Sequence, residues 1–129
     1  EKGHSIGNHT YHHLRGCKTS KPEYLKDITE AKQVLQTSLF RPPHGRMTCS
    51  QKNALRQAGY KIYLWDVLTH DYNPKYTPEK MLRIVQHFTR KGSIIVLHDS
   101  LKSKDRMLQA LPQIIQWLQE EGYSLQALK

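Results

Sequence analysis

The chain has 129 residues, of which 37% are hydrophobic and 24% charged. That balance suits one globular domain with its own core and excludes fibrous and collagen-like classes. Lys plus Arg outnumber Asp plus Glu by 20 to 11, which favours anionic partners.

No run approaches the roughly eighteen apolar residues of a membrane span. The cations are scattered singly, with no basic run interleaved with aromatics, so nucleic acid is not an expected partner. A positive surface, or an anionic cell-wall glycan as partner, fits better. There is no initiator Met and no basic-then-apolar leader. The chain is therefore read as one domain over residues 1–129, either a mature product or a piece of a longer one. Cys17 and Cys49 are too far apart for a CxxC motif, and free thiols are favoured over a disulfide.

Four of the eight histidines fall within residues 3–14, GHSIGNHTYHHL. His4 belongs nearer the middle of a strand and is read as structural, while His9 to His13 form the polar end of that strand. Ser20, Pro22 and Glu23 then open a helix, with Leu25, Ile28, Ala31 and Leu35 on its buried face. Ser38 to Arg41 reads as a strand that ends in the rigid loop Pro42-Pro43-His44-Gly45. Thr48 and Gln51 start a second helix carrying Leu55 and Ala58 inward, with Gly59 as its stop. Residues 60–67, YKIYLWDV, are rich in aromatic and β-branched types and predict a strand.

Thr77-Pro78-Glu79 opens a third helix, with Leu82, Val85 and Phe88 on one face and Gly92 after it. Residues 93–97, SIIVL, form an apolar run suited to a strand covered on both faces. A last helix carries Leu108, Leu111, Ile115 and Leu118, and Pro112 is expected to kink it or delay its start. Residues 123–128, YSLQAL, alternate as a closing strand. This order of strands and helices predicts an α/β fold with parallel strands, either an open sheet or a barrel.

In both architectures, functional residues gather at the carboxyl ends of the strands. Here those ends are His9 to His13, Arg41 to Gly45, Asp66 to Tyr72, and His98 with Asp99. His9 and His13 are four apart, so both imidazoles can reach one ion. Chance alone supplies about half an HxxxH pair in a chain this rich in histidine. His98 could equally be a core histidine, Arg41 a surface ion-pair partner, and Asp71 a turn former before Asn73-Pro74.

Taken together and in order, His9-Thr10-Tyr11-His12-His13, Arg41-Pro42-Pro43-His44-Gly45, Trp65-Asp66 with His70-Asp71-Tyr72, and Leu97-His98-Asp99 resemble the successive motifs of the polysaccharide deacetylases. These are the NodB-homology enzymes of carbohydrate esterase family four. The resemblance covers essentially the whole chain. It implies a distorted (β/α) barrel and a divalent ion, usually zinc, held by His9, His13 and an aspartate of the family's first motif. It makes His98 the general acid, Asp71 its partner, and Arg41 the residue that orients the base. Leu97 would line the pocket for the acetyl methyl group, and Pro43, His44 and Tyr72 would border the substrate groove.

The physical needs of amide hydrolysis agree with that assignment. A bound divalent ion lowers the pKa of its water to about 7 and stabilises an oxyanion, while a positioned histidine protonates the leaving amine. The general base is missing, because the family's first motif ends in paired aspartates ahead of the histidines. Glu1 stands only eight residues ahead of His9, and no Asp occurs before Asp27, which lies within a predicted helix. The expectation is a later part of a longer domain, lacking its first strand and helix along with the base and one metal ligand, which alone binds metal weakly and catalyses little or nothing.

Three smaller departures bear on substrate contacts. His44 replaces the aromatic residue common after the double proline. Leu68 replaces a carboxylate, and Tyr72 replaces a tryptophan.

The reading that follows is a metal-dependent deacetylase of N-acetyl groups on a GlcNAc-containing polymer such as peptidoglycan or chitin. The alternatives are an O-deacetylase of acetylated xylan and a glycan-binding pseudoenzyme. A polymeric wall substrate would place the protein in the cell envelope, the periplasm or outside the cell.

Overall fold

The computed structural model describes residues 2–129, which divide into two compact units. The first runs to Leu64 and includes Ala127–Lys129; the second is Trp65–Gln126.

Helix α1, Lys21–Leu35, starts where the Ser20 hydroxyl accepts the N–H of Glu23, with Pro22 in its first turn. Its buried face is Tyr24, Asp27, Ile28 and Ala31. Ile28 and Ala31 are buried as expected, while Leu25 is half-buried and Leu35 is exposed, and Tyr24 and Asp27 complete the inward face. Strands β1, Leu39–Phe40, and β2, Lys61–Ile62, pair in parallel, and Asn8 adds a parallel bridge to Phe40. Helix α2, Cys49–Gln57, begins at a full capping box between Thr48 and Gln51. The Gln51 amide also reaches the carbonyls of Gly16 and Thr19, so Gln51 is fully buried. Gly16 must stay a glycine there, because a Cβ would stand 2.7 Å from Gln51 Oε1 and 2.9 Å from the Met47 Cα.

The core of this unit is Tyr24, Ile28, Phe40, Leu55 and Tyr60, with Phe40 edge-on to both tyrosines. Ala58 was expected inside and is exposed. His4 is also exposed and lies outside any strand. Cys17 and Cys49 are exposed free thiols, as favoured.

In the second unit, strands β3, Val67–Leu68, and β4, Ile95–Val96, pair in parallel. Helix α3, Pro78–Phe88, is capped by the Thr77 hydroxyl, and helix α4 spans Lys104–Glu120. Val67, Met81, Val85, Ala110, Ile114 and Leu118 form the core. Phe88 is exposed, because the inward face of α3 centres on Met81 and Val85.

Two sequence expectations fail here for physical reasons. The strand over 60–67 is broken into two pieces, because the Asp66 carboxylate accepts the Ile94 N–H and the Ser93 hydroxyl at the point where a ladder would continue. The closing strand over 123–128 is absent: Leu125 and Leu128 are exposed, and Tyr123 instead donates its N–H to Leu118 and its hydroxyl to Thr89. Helix α4 runs through Pro112, which sits on its exposed side, so the missing N–H is not buried. The inward stripe of α4 is then Ala110, Ile114 and Leu118 at i, i+4, i+8, while Leu108 is exposed.

The fold is α/β with parallel strands, as the order of elements predicted. Among the described residues the strands pair two by two and close no barrel.

Candidate functional site

The candidate residues form two clusters, one in each unit. The first is the loop after Asn8. Asn8 is buried, with its side-chain N–H on the carbonyl of Ile28 and its Oδ1 accepting the Thr10 N–H. The Thr10 hydroxyl accepts the N–H of Leu14. Asp27, reaching in from α1, accepts the N–H groups of Tyr11 and His12 at 2.6 and 3.0 Å, and its other oxygen meets His12 Nδ1. Burial alone would raise the Asp27 pKa. The hydrogen bonds from the His12 side chain and the two N–H groups outweigh it and hold the carboxylate below its ordinary value.

This bracing matters because Thr10 and His13 have φ of 61° and 55°. Non-glycine residues adopt that left-handed conformation at a cost that the surroundings must offset. The result is a pair of imidazoles, His9 and His13, with ring centroids 5.0 Å apart and planes at 65°. His9 Nδ1 lies 2.6 Å from the carbonyl of Arg41. A carbonyl only accepts, so the His9 proton sits on Nδ1 and its lone pair on Nε2.

The donor set suits zinc. Two imidazoles sharing one ion at Zn–N of about 2.1 Å and near-tetrahedral angles have centroids about 5 Å apart. A ligating histidine also usually gives its other N–H to a carbonyl or carboxylate, which is the position His9 holds. Among the described residues, His12, Asp27 and Glu30 are the one triplet whose ligand atoms all lie within 4.8 Å of one another. Asp27 already accepts three donors there, so this triplet is better explained as the brace of the loop.

His44 extends the imidazole row. Its ring centroid is 5.0 Å from that of His13 at 67°. Its backbone is left-handed, with φ of 57°, in a turn built on the buried Pro42 and Pro43. Pro43 therefore seats the turn. Burial, then the charge of Arg15 and the neighbouring His13, push the His44 pKa down. Arg41 is half-buried, and burial lowers the pKa of its guanidinium.

The second cluster is centred on Asp71, which is fully buried. Its carboxylate accepts the backbone N–H of His98 and, at 2.7 Å, His98 Nδ1. Arg106 on α4 fixes the same loop by donating from Nε to the Asp71 carbonyl at 3.0 Å. Tyr72 stands edge-on to His98 with centroids 5.3 Å apart. The Tyr72 hydroxyl is 3.1 Å from His70 Nδ1, and His70 stacks on Tyr76. Leu97 is half-buried against the core of this unit.

The structure thus brings His9 to His13, with Arg41 as the carbonyl that holds His9, and brings Asp71 and Tyr72 to His98. Sequence reasoning missed Asp27, Asn8, His70 and Arg106. A signal for Asp27 existed: it occupies the inward face of α1 next to Ile28, where an unpaired carboxylate is costly.

A profile of the polysaccharide deacetylase family matches residues 1–63. A peptidoglycan-N-acetylglucosamine deacetylase of Bacillus cereus is 30% identical across 95% of this chain and 61% of its own length. A chitooligosaccharide deacetylase of Azorhizobium caulinodans is 27% identical across 98% of this chain and 68% of its own. Among solved structures, a peptidoglycan N-acetylglucosamine deacetylase in complex with a naphthalenyl N-oxidanyl-benzamide superposes with a TM-score of 0.92 at 26% identity, covering 98% of this chain and 62% of that one. A carbohydrate esterase family four pseudoenzyme from Bacillus anthracis, 22% identical with a TM-score of 0.84 over 95% of this chain and 44% of its own, shares the fold. The chain therefore spans about three fifths of the first of these relatives.

Proposed function

Because this chain belongs to the polysaccharide deacetylase family, we propose that its protein is a metal-dependent hydrolase removing N-acetyl groups from a GlcNAc-containing polysaccharide of the peptidoglycan or chitin type. The observation that carries the reading is the grip of the buried Asp71 on His98 through both the ring and the backbone N–H. A histidine held this way keeps its proton on Nδ1 and presents Nε2 as the nitrogen that exchanges a proton. Nε2 is then the ring nitrogen left to pass a proton to a leaving amine.

His9 and His13 would hold the ion, with zinc as the best match to two imidazoles at this spacing. A bound divalent ion supplies an activated water and stabilises the oxyanion. The chain's own contribution there is orientation, because the Arg41 carbonyl fixes the tautomer of His9 and Asp27 fixes the loop. Tyr72 limits the swing of the His98 ring by its edge-on contact. A wall polymer as substrate places the protein in the cell envelope or outside the cell, and no helix among the described residues is long and apolar enough to cross a membrane.

The test is acetyl loss followed by mass spectrometry, with zinc-loaded protein on N-acetylglucosamine oligomers and on acetylated xylan. His98→Ala is the control. Loss from the oligomers that disappears in His98→Ala supports the reading. Loss from xylan alone makes the protein an O-deacetylase. Glycan binding without loss from either, with zinc bound, leaves a binding module.

A further inference from the structure

We propose that Arg106 is a positioning residue for His98: it ties together the two loops that carry the proposed acid and its aspartate, and so sets the Asp71 carboxylate against the His98 ring. The proposal rests on the reading of His98 as the acid and deepens it.

The parallel ladder of this unit ends short of both residues. Strands β3 and β4 stop at Leu68 and Val96, and Thr69 closes the pairing by giving its N–H and its hydroxyl to the Val96 carbonyl at 3.3 and 3.0 Å. Asp71 and His98 both lie beyond that point, on loops. Asp71 commits both carboxylate oxygens to His98, Oδ2 to the backbone N–H and Oδ1 to Nδ1. The grip therefore holds only while the two loops keep their spacing.

Arg106 spans them. Its Nε donates to the Asp71 carbonyl at 3.0 Å, and its Nη2 donates to the Lys102 carbonyl at 2.6 Å, in the segment that follows His98. That segment is itself anchored: the N–H groups of Ser103 and Lys104 close on the Ser100 carbonyl at 3.0 and 2.8 Å, and Ser103 is fully buried. A guanidinium presents its donors in one rigid plane, so two carbonyls held at once have their separation fixed. A lysine ammonium is a single point of charge and does not fix that separation.

Helix stability does not account for this residue. Arg106 lies in the first turn of α4, where the helix dipole disfavours a cation, and it is half-buried rather than spread into water. The two carbonyls do account for it. A plain structural tie would use the same bonds, so the test needs readouts that stability alone does not move.

The experiment compares the unaltered protein with Arg106→Gln, Arg106→Lys and Arg90→Gln. Arg90 is the control, a cation of the same unit whose exposed side chain lies 3.7 Å from Asp66. Urea unfolding confirms that each variant is folded under assay conditions. Long-range proton–nitrogen NMR reads the tautomer of His98, and steady-state acetyl release from N-acetylglucosamine oligomers by the zinc-loaded protein separates kcat from KM. The expected result is a proton on Nδ1 alone in the unaltered protein and in Arg90→Gln. In Arg106→Gln the Nε2-protonated tautomer becomes populated, and kcat falls about 10- to 100-fold with KM within about twofold. Arg106→Lys, which keeps the charge and one bond, falls between. An unchanged tautomer and kcat in folded Arg106→Gln overturn this inference and leave the deacetylase reading standing. A rise in KM at constant kcat, or an equal loss in Arg90→Gln, also overturns it. An unaltered protein that releases no acetyl group overturns both readings.

Discussion

The two clusters solve one problem with the same device and differ in what the device holds. In each, a buried aspartate takes a histidine by both its backbone N–H and its Nδ1: Asp27 with His12, and Asp71 with His98. Asp27 adds the N–H of Tyr11. The His12 side chain is 63% exposed and lies between the residues assigned to the ion, so Asp27 shapes a loop. The His98 side chain is 42% exposed and is itself the proposed acid, so Asp71 shapes a reacting group. The comparison teaches that a carboxylate gripping histidine can be structural or chemical, and that what the held imidazole does next decides which.

That distinction can be broken by substitution. The largest effect is expected from Asp71→Asn, which keeps the shape and removes the charge. An amide N–H directed at Nδ1 would force the other tautomer on His98, so acetyl release should fall by about 10²–10⁴ in steady-state rate. Asp27→Asn should act on the fold instead. Urea unfolding should show a loss of about 1–3 kcal/mol, since buried donors from Tyr11 and His12 lose a charged acceptor. If Asp27→Asn lowered activity as far as Asp71→Asn while leaving stability unchanged, the two aspartates would not differ in role.

Acid unfolding sharpens the contrast further. The Asp27 pKa in the folded protein lies below its ordinary 3.8. Its stabilisation is therefore fully present above that value and is lost as pH falls through the lower folded value. The stability gap between the unaltered protein and Asp27→Asn should be constant above about pH 5 and should shrink as pH drops below about 4. The smallest effect is expected from His70→Phe, which keeps a ring against Tyr76 and removes the partner of the Tyr72 hydroxyl. A loss under about 1 kcal/mol in thermal or urea unfolding is the expectation.

Much of the fold could be read from local signals. Ser20, Thr48 and Thr77 announce three helices, and each hydroxyl accepts the N–H three residues on. These signals act within one turn of chain. The strands were read less well, because a two-residue pairing such as Val67 with Ile95 depends on a partner 28 positions away. YKIYLWDV has strand composition throughout, yet Asp66 turns it by binding Ser93 and Ile94. The terminal YSLQAL alternates correctly and finds no partner strand among the described residues.

The site follows the same division. His9 with His13 and His98 with Asp71 were legible because spacing and motif order point to them. Asp27 left a weaker signal, its place beside Ile28 on the inward face of α1, because the loop it braces is visible only in the fold. The neighbouring rings of His13 and His44 were equally hidden, because the Pro42-Pro43 turn decides where His44 points.

The most direct test of the carboxylate-held histidines is long-range proton–nitrogen correlation NMR of the imidazole rings at a pH where they are neutral. The account predicts that His9, His12 and His98 carry their proton on Nδ1, and that His98 alone changes tautomer in Asp71→Asn. A proton on Nε2 of His98 in the unaltered protein would contradict it.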